Sequence, residues 1–218
     1  MANAFESFLN SDSAASNITR FTAVVREVNC SRGRPDFLAV KFSDNFQIDS
    51  TFQSVGHVGA YILSMLKPIA ARTFDYLRSH CVYSELSLKR TLHDLLDLGY
   101  IKYAENTSCF VLGEKCCFPQ YEIWSFELKL NNTKRAIFQA QQSRIFADRS
   151  IIVVPPGRER PFFEHEHSLG RFGIGVAIFD PLTFVYEIVI RPKNKKAMCK
   201  QNQIYTLMQI TSSSCCTR

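Results

Sequence analysis

The chain has 218 residues, 46% of them hydrophobic and 18 of them Phe, with a formal net charge of +6 and a pI near 8.9. That is enough apolar material for a sizeable core, in one domain or in one domain carrying a smaller insert. No apolar run reaches the roughly 20 residues that a membrane-spanning helix needs, and the mild basicity permits a polyanionic partner without demanding one.

The N-terminus, Met-Ala-Asn-Ala-Phe-Glu, has no basic flank ahead of an apolar stretch, so no secretory signal is visible and a cytoplasmic protein is expected. The cysteines at 30, 81, 109, 116, 117, 199, 215 and 216 include no Cys-x2-Cys pair. Free thiols in a reducing compartment follow better than disulfides or a zinc site. Phe5, Phe8 and Leu9 share one side of a short helix, and the polar stretch Asn10–Asn17 reads as a loop. Phe21–Val28 is a β-branched strand. The turn residues Asn29–Arg34 then lead into a second strand, Pro35–Lys41, making an antiparallel hairpin with Pro35 at a strand start. Arg32-Gly33-Arg34 reads equally as a phosphate-touching turn or as an ordinary one.

From about residue 59 to 112 the pattern becomes helical. Leu66, Ile69, Ala70, Thr73, Phe74 and Leu77 recur at helical spacing, as do Leu88, Leu92, Leu95 and Leu96 ahead of the stop at Gly99. Lys89, Arg90 and His93 fall on the outer side of that second helix. Two short apolar runs, Tyr100–Tyr103 and Cys109–Leu112, suggest a hairpin. Helix, helix with a basic face and hairpin is the order of a winged helix-turn-helix, here trimmed because Ser79–Ser87 is short for a middle helix. A helical insert that packs for stability or self-association fits the same pattern.

The central stretch is Trp124-Ser125-Phe126-Glu127-Leu128-Lys129-Leu130. Period two puts Trp124, Phe126, Leu128 and Leu130 on one face and Ser125, Glu127 and Lys129 on the other. Charges on a strand face otherwise meant for a core are costly unless paired or metal-bound. Asn131-Asn132-Thr133 can cap a helix from Lys134 to about Asp148, whose small residues Ala136, Ala140, Ser143 and Ala147 would let it lie close on a sheet. The strand Ser150–Val154 follows, so strand, helix, strand forms a crossover and the sheet must be mixed. Phe172–Ile178 and Phe184–Ile190 read as two further strands, and the polar, basic end from Arg191 as irregular. His165 and His167 fit a solvated loop better than a metal site, and Gly173-x-Gly175 lacks the rest of a nucleotide-binding pattern.

Taken together, Pro35-Asp36 on a hairpin strand and Glu127-Leu128-Lys129 on the central strand resemble the PD-(D/E)xK nuclease superfamily, over most of residues 5–155. Lys134–Ala140 is similar to the superfamily helix that often carries a Gln, here Gln139. The resemblance implies an α/β (α+β) fold with a mixed central sheet flanked by helices. The restriction-endonuclease-like core would comprise residues 1–58 and 113–192; the pattern of 59–112 makes it a winged-helix-like insertion, and the polar, basic composition of 193–218 a disordered tail. It implies Mg2+ or Mn2+ held by Asp36, Glu127 and the backbone carbonyl of Leu128, with Lys129 and Gln139 completing the catalytic set. Glu6 matches the acidic residue often given by the first helix, and Glu27 competes with it. DNA is the implied partner, through Lys89, Arg90, Arg34 and Lys134, with a homodimer as an option. Asp36 and Glu127 stand 91 positions apart, far more than is usual there, and the 59–112 module accounts for the gap if it is inserted. The expected activity is phosphodiester hydrolysis; the alternatives are a DNA-binding or regulatory protein on an inactive nuclease scaffold, and an interaction platform.

Overall fold

The apolar-faced stretches assemble into one six-stranded sheet, in the order β1-β2-β5-β6-β7-β8. The computed structural model describes residues 1–12, 14, 18–43, 50–116 and 120–214, side chains at 50, 53 and 212–214 excepted. Residues 13 and 15–17 of the expected Asn10–Asn17 loop, together with Cys117, Cys215 and Cys216, lie outside them. The strands are β1 (Ala23–Arg26), β2 (Phe37–Phe42), β5 (Tyr121–Leu128), β6 (Arg149–Val154), β7 (Ile174–Phe179) and β8 (Tyr186–Ile190). Helix α5 (Thr133–Ser143) makes the crossover from β5 to β6, so these two run parallel, as β6 and β7 also do. The pairs β1–β2, β2–β5 and β7–β8 are antiparallel. The sheet is therefore mixed, as the sequence pattern demanded. Strand β1 stops early because Glu27 turns to φ 53.

One sheet face is covered by α1 (Ala2–Leu9), whose Phe5 ring sits 5.6 Å from Phe37, 5.5 Å from Phe126 and 5.1 Å from Phe179. Such edge-to-face contacts suit the ring quadrupoles and anchor a helix of only two turns. On the other face, Ala136 and Ala140 of α5 lie against β6 with Ile152 and Val154, and the Ser150 hydroxyl donates to the Ala140 carbonyl at 2.9 Å. The small side chains are what allow that close approach. Strand β6, central and parallel-paired, is buried on both faces from Ser150 to Val154.

The remaining helices are α2 (Gly56–Met65), α3 (Phe74–Ser79), α4 (Glu85–Asp97), α6 (Arg160–Phe163), α7 (Glu166–Phe172) and α8 (Lys200–Ser214), and β3 (Ile101–Tyr103) pairs with β4 (Phe110–Leu112). The helix expected through Leu66 and Leu77 is corrected. Leu66 is already extended, Pro68 follows, and Ile69 is 93% exposed. Pro at that position cannot continue a helix. Thr73 then starts α3 anew, its hydroxyl accepting from the Tyr76 amide at 3.1 Å. The first helix of the module is the upstream α2, so the module is not trimmed: helix, single bridge (Arg72 to Phe110), helix, helix and hairpin are all present. Its Leu77, Leu88 and Leu92 join one hydrophobic cluster with Leu38, Val40 and Ile123 of the sheet.

The irregular tail is corrected as well. Residues 200–214 form α8, which buries Ile204, Leu207, Met208 and Ile210 against the same cluster. A buried pair of side chains holds its leading segment. Asp148 accepts from the amides of Ile123 (2.9 Å) and Ala197 (3.1 Å) and from the Gln203 side chain (2.7 Å). Arg144 donates to the carbonyls of Ala147, Lys195 (2.7 Å) and Lys196 (3.3 Å). Burial raises the Asp148 carboxyl above its ordinary range and lowers the Arg144 guanidinium. His165 and His167 lie at and within α7 rather than in a loop. Cys30, Cys81, Cys109, Cys116 and Cys199 are free thiols, and among the described residues no helix is long and apolar enough to cross a membrane.

Candidate active site

The antiparallel register of β2 and β5 pairs Phe37 with Phe126, and continued by one residue it sets Asp36 opposite Glu127. Alternation sends Phe37 and Phe126 toward α1, so Asp36 and Glu127 project to the α5 face of the sheet. Lys129, two residues on, joins them there. Its Nζ lies 3.5 Å from Asp36 Oδ2 and 3.3 Å from Glu127 Oε2. The three side chains named from the sequence thus meet, across 91 positions of chain.

Pro35 explains the local backbone. The Lys129 amide donates to the Val153 carbonyl of β6 at 2.9 Å, so the polar groups of Leu128 point the other way, toward β2. The residue facing Leu128 in the extended register is Pro35, which has no N–H to give. The Leu128 carbonyl is therefore left without a ladder donor beside the two carboxylates. The Leu128 amide, meanwhile, donates to Asp36 Oδ2 at 2.7 Å. Proline both ends the ladder and leaves that oxygen without a ladder partner.

Glu127 is the unusual group. It is 2% exposed, and its Oε2 has no well-directed hydrogen bond despite the nearby ammonium. Burial first, and then the charge of Asp36, push its carboxyl up to about 7, while Lys129 pulls the other way. A carboxyl that is buried, poorly bonded and faced by a second carboxylate is short of positive charge. Together with Asp36 and the Leu128 carbonyl it forms an oxygen-only donor set of the kind that hard Mg2+ or Mn2+ takes. Among the described residues no cluster of three or more His, Cys, Asp and Glu exists, so the remaining ligands would be waters or substrate oxygens.

The other residues named from the sequence divide. Gln139 lies on α5 one turn before Gln142, whose Oε1 is within 3.6 Å of where a side chain on Gly33 would begin. That side of the helix faces the β1–β2 turn, and Gln139 Oε1 is buried without a hydrogen-bond partner. Glu6 is not brought to the pair: it sits on α1, across the sheet, 3.8 Å from Arg26. Its competitor Glu27 is held by Arg34, which donates to its carboxylate at 2.8 Å and to its carbonyl at 2.6 Å. Arg34 is thereby committed to the hairpin turn. Lys89 pairs with Glu85 at 2.7 Å, whereas Arg90 and Lys134 are exposed.

No protein-family model, no curated protein and no solved structure matches the chain. Sequence reasoning missed the Asp148–Arg144 pair, whose signal was faint: two charged residues flanking Phe146 and Ala147 just before a buried strand.

Proposed function

We propose that the protein is a divalent-metal-dependent nuclease that hydrolyses phosphodiester bonds in DNA, on a restriction-endonuclease-like core with a winged-helix-like module looped out of it. The observation that carries this reading is the meeting of Asp36, Glu127 and Lys129 on one sheet face, with Glu127 buried and short of positive charge. Asp36, Glu127 and the Leu128 carbonyl would hold Mg2+ or Mn2+, which supplies a polarised phosphate oxygen and a more acidic water. Lys129 carries the positive charge that offsets the extra negative charge of a pentacovalent phosphorus. The Leu128 amide holds Asp36 in place, and Gln139 offers a free carbonyl oxygen to orient water. Arg90 and Lys134 supply exposed cations for the DNA backbone, and Lys89 does so by exchanging an exposed ion pair of little net strength.

The test is direct. Purified protein with Mg2+ or Mn2+ is expected to nick DNA, chelation to stop it, and Lys129→Ala to lower the rate about 10²–10³-fold while leaving metal binding in place. Absence of metal-dependent cleavage on single-stranded, duplex, branched and RNA substrates would overturn the enzyme reading.

One observation favours a second reading, a DNA-binding or regulatory protein on an inactive nuclease scaffold. The Lys129 ammonium already stands between the two carboxylates and can serve as their permanent counter-ion. In that case Mn2+ leaves the melting temperature unchanged. In the enzyme case it raises it for wild type and not for Glu127→Gln.

A further inference from the structure

Beside the three-residue site lies a cavity of about 170 Å³ that none of the steps above uses. It opens where β5 and β6 end, between Lys129 and the start of α5. Two cationic residues line it, Lys129 and Arg158, along with Asn131, Asn132 and Thr133 at the head of α5. Val154 and Phe162, both buried, form an apolar side, and the exposed Arg158 stands at the rim. Among the described residues the Arg158 guanidinium has neither ion pair nor hydrogen bond, unlike Arg34, Arg144 and Arg149. In the first turn of α5 the Asn132 side chain takes the Arg135 amide at 3.1 Å and the Asn132 carbonyl takes Ala136 at 3.1 Å. The amides of Thr133 and Lys134 remain for an incoming acceptor.

We propose that this cavity binds a phosphate group of the nucleic-acid strand, next to the one being cleaved. The unpaired Arg158 guanidinium and the unspent backbone amides ask for an anion with several acceptor oxygens, and a guanidinium suits phosphate geometry; the Lys129 ammonium is shared with Asp36 and Glu127, 3.5 and 3.3 Å away. A water's share of liquid volume is about 30 Å³, so the space corresponds to roughly half a dozen waters, enough for a phosphate. Lys129 borders both the cavity and the carboxylates, so a strand with one phosphate in the cavity presents a neighbouring one to Asp36 and Glu127. This inference deepens the nuclease reading and rests on it for its substrate, but anion binding by the cavity is measurable without cleavage.

The experiment has two arms. In the first, inorganic phosphate is titrated against wild type and Arg158→Gln in chelator at constant ionic strength, with melting temperature as the readout. Wild type is expected to gain several degrees and the variant little; equal curves overturn the site, whether or not the protein cleaves DNA. The second arm measures binding of short duplexes, again without metal. Arg158→Gln is expected to weaken affinity about tenfold and to flatten the log–log salt slope by about 0.9, with Arg158→Lys retaining most of both. Unchanged affinity and slope overturn the assignment to a nucleic-acid phosphate. Duplexes carrying a 5′-phosphate, a 3′-phosphate or neither separate a terminal monoester, for which one end group tightens wild type alone, from an internal phosphodiester, for which end groups are neutral. A phosphate response that depends on Arg158, in a protein that never cleaves, would support the cavity while removing the nuclease reading.

Discussion

Replacing Glu127 by Gln is expected to make the metal-free protein more stable at alkaline pH and to leave it nearly unchanged in acid. The folded protein holds the Glu127 carboxyl at about 7 against an ordinary 4.5, through burial and the nearby Asp36. A raised carboxyl binds its proton more tightly when folded, so its contribution to stability is complete below pH 4.5 and is lost as pH rises through 7. At about 1.4 kcal/mol per pH unit, the loss by pH 8 is on the order of 3 kcal/mol. For a chain of this size that corresponds to a melting-temperature difference of about 6–12 °C. Gln keeps the shape and drops the charge. Scanning calorimetry in chelator, at pH 5 and pH 8, should therefore show a gap between the two proteins that opens with pH. A gap that is the same at both values, or that favours wild type more as pH rises, refutes the claim that Glu127 is forced to ionise in a place short of positive charge. Adding Mg2+ at pH 8 should close the gap by stabilising wild type alone, about 2.7 kcal/mol at a hundredfold excess over Kd. Metal affinity should also fall as pH drops below 7, because the proton and the metal compete for the same oxygens.

Phe5→Ala removes the ring that joins α1 to Phe37, Phe126 and Phe179, and should cost about 3–5 kcal/mol in denaturant unfolding. Asp148→Ala leaves the buried amide of Ile123 and the half-buried amide of Ala197 without their acceptor and Arg144 without its counter-charge. Limited proteolysis should then cut near residue 195 and release α8, whereas wild type should resist. Pro35→Ala supplies an N–H opposite Leu128, which can capture its carbonyl. Calorimetric Mg2+ titration should show weaker binding even though both carboxylates remain. Lys89→Glu with Arg90→Glu should weaken DNA binding and flatten its salt dependence; an unchanged slope in a filter or fluorescence assay would assign the module to packing or self-association instead.

Several features were legible in the chain itself because their causes are local. The alternation in Trp124–Lys129 told which side chains share a sheet face, since successive side chains on a strand point in opposite directions. Small residues at Ala136, Ala140 and Ser143, between two apolar strands, required a close crossover helix and hence a mixed sheet. A cap within Asn131-Asn132-Thr133 was readable because a side-chain oxygen satisfies a nearby amide, and the structure gives the role to Asn132. Pro68 is readable too: its ring breaks the helix that the leucine spacing around it suggests.

What tertiary structure alone decided was long-range or conditional on burial. A strand's period says which face Glu127 takes, and nothing about who stands opposite; only the β2–β5 register, after a 91-residue detour, put Asp36 there. Burial and that neighbour raise the Glu127 carboxyl, so its chemistry is a property of the assembled sheet. Arg34 looked free for a phosphate until Glu27 folded back onto it. Residues 200–214, with scattered Gln, Ser and Thr, carry too weak a pattern to announce a helix. They form one because the sheet offers an apolar surface and because Asp148 and Arg144 hold the segment that leads into it. Short-range preferences choose elements and faces, and the pairing of distant strands then brings separate side chains into one site.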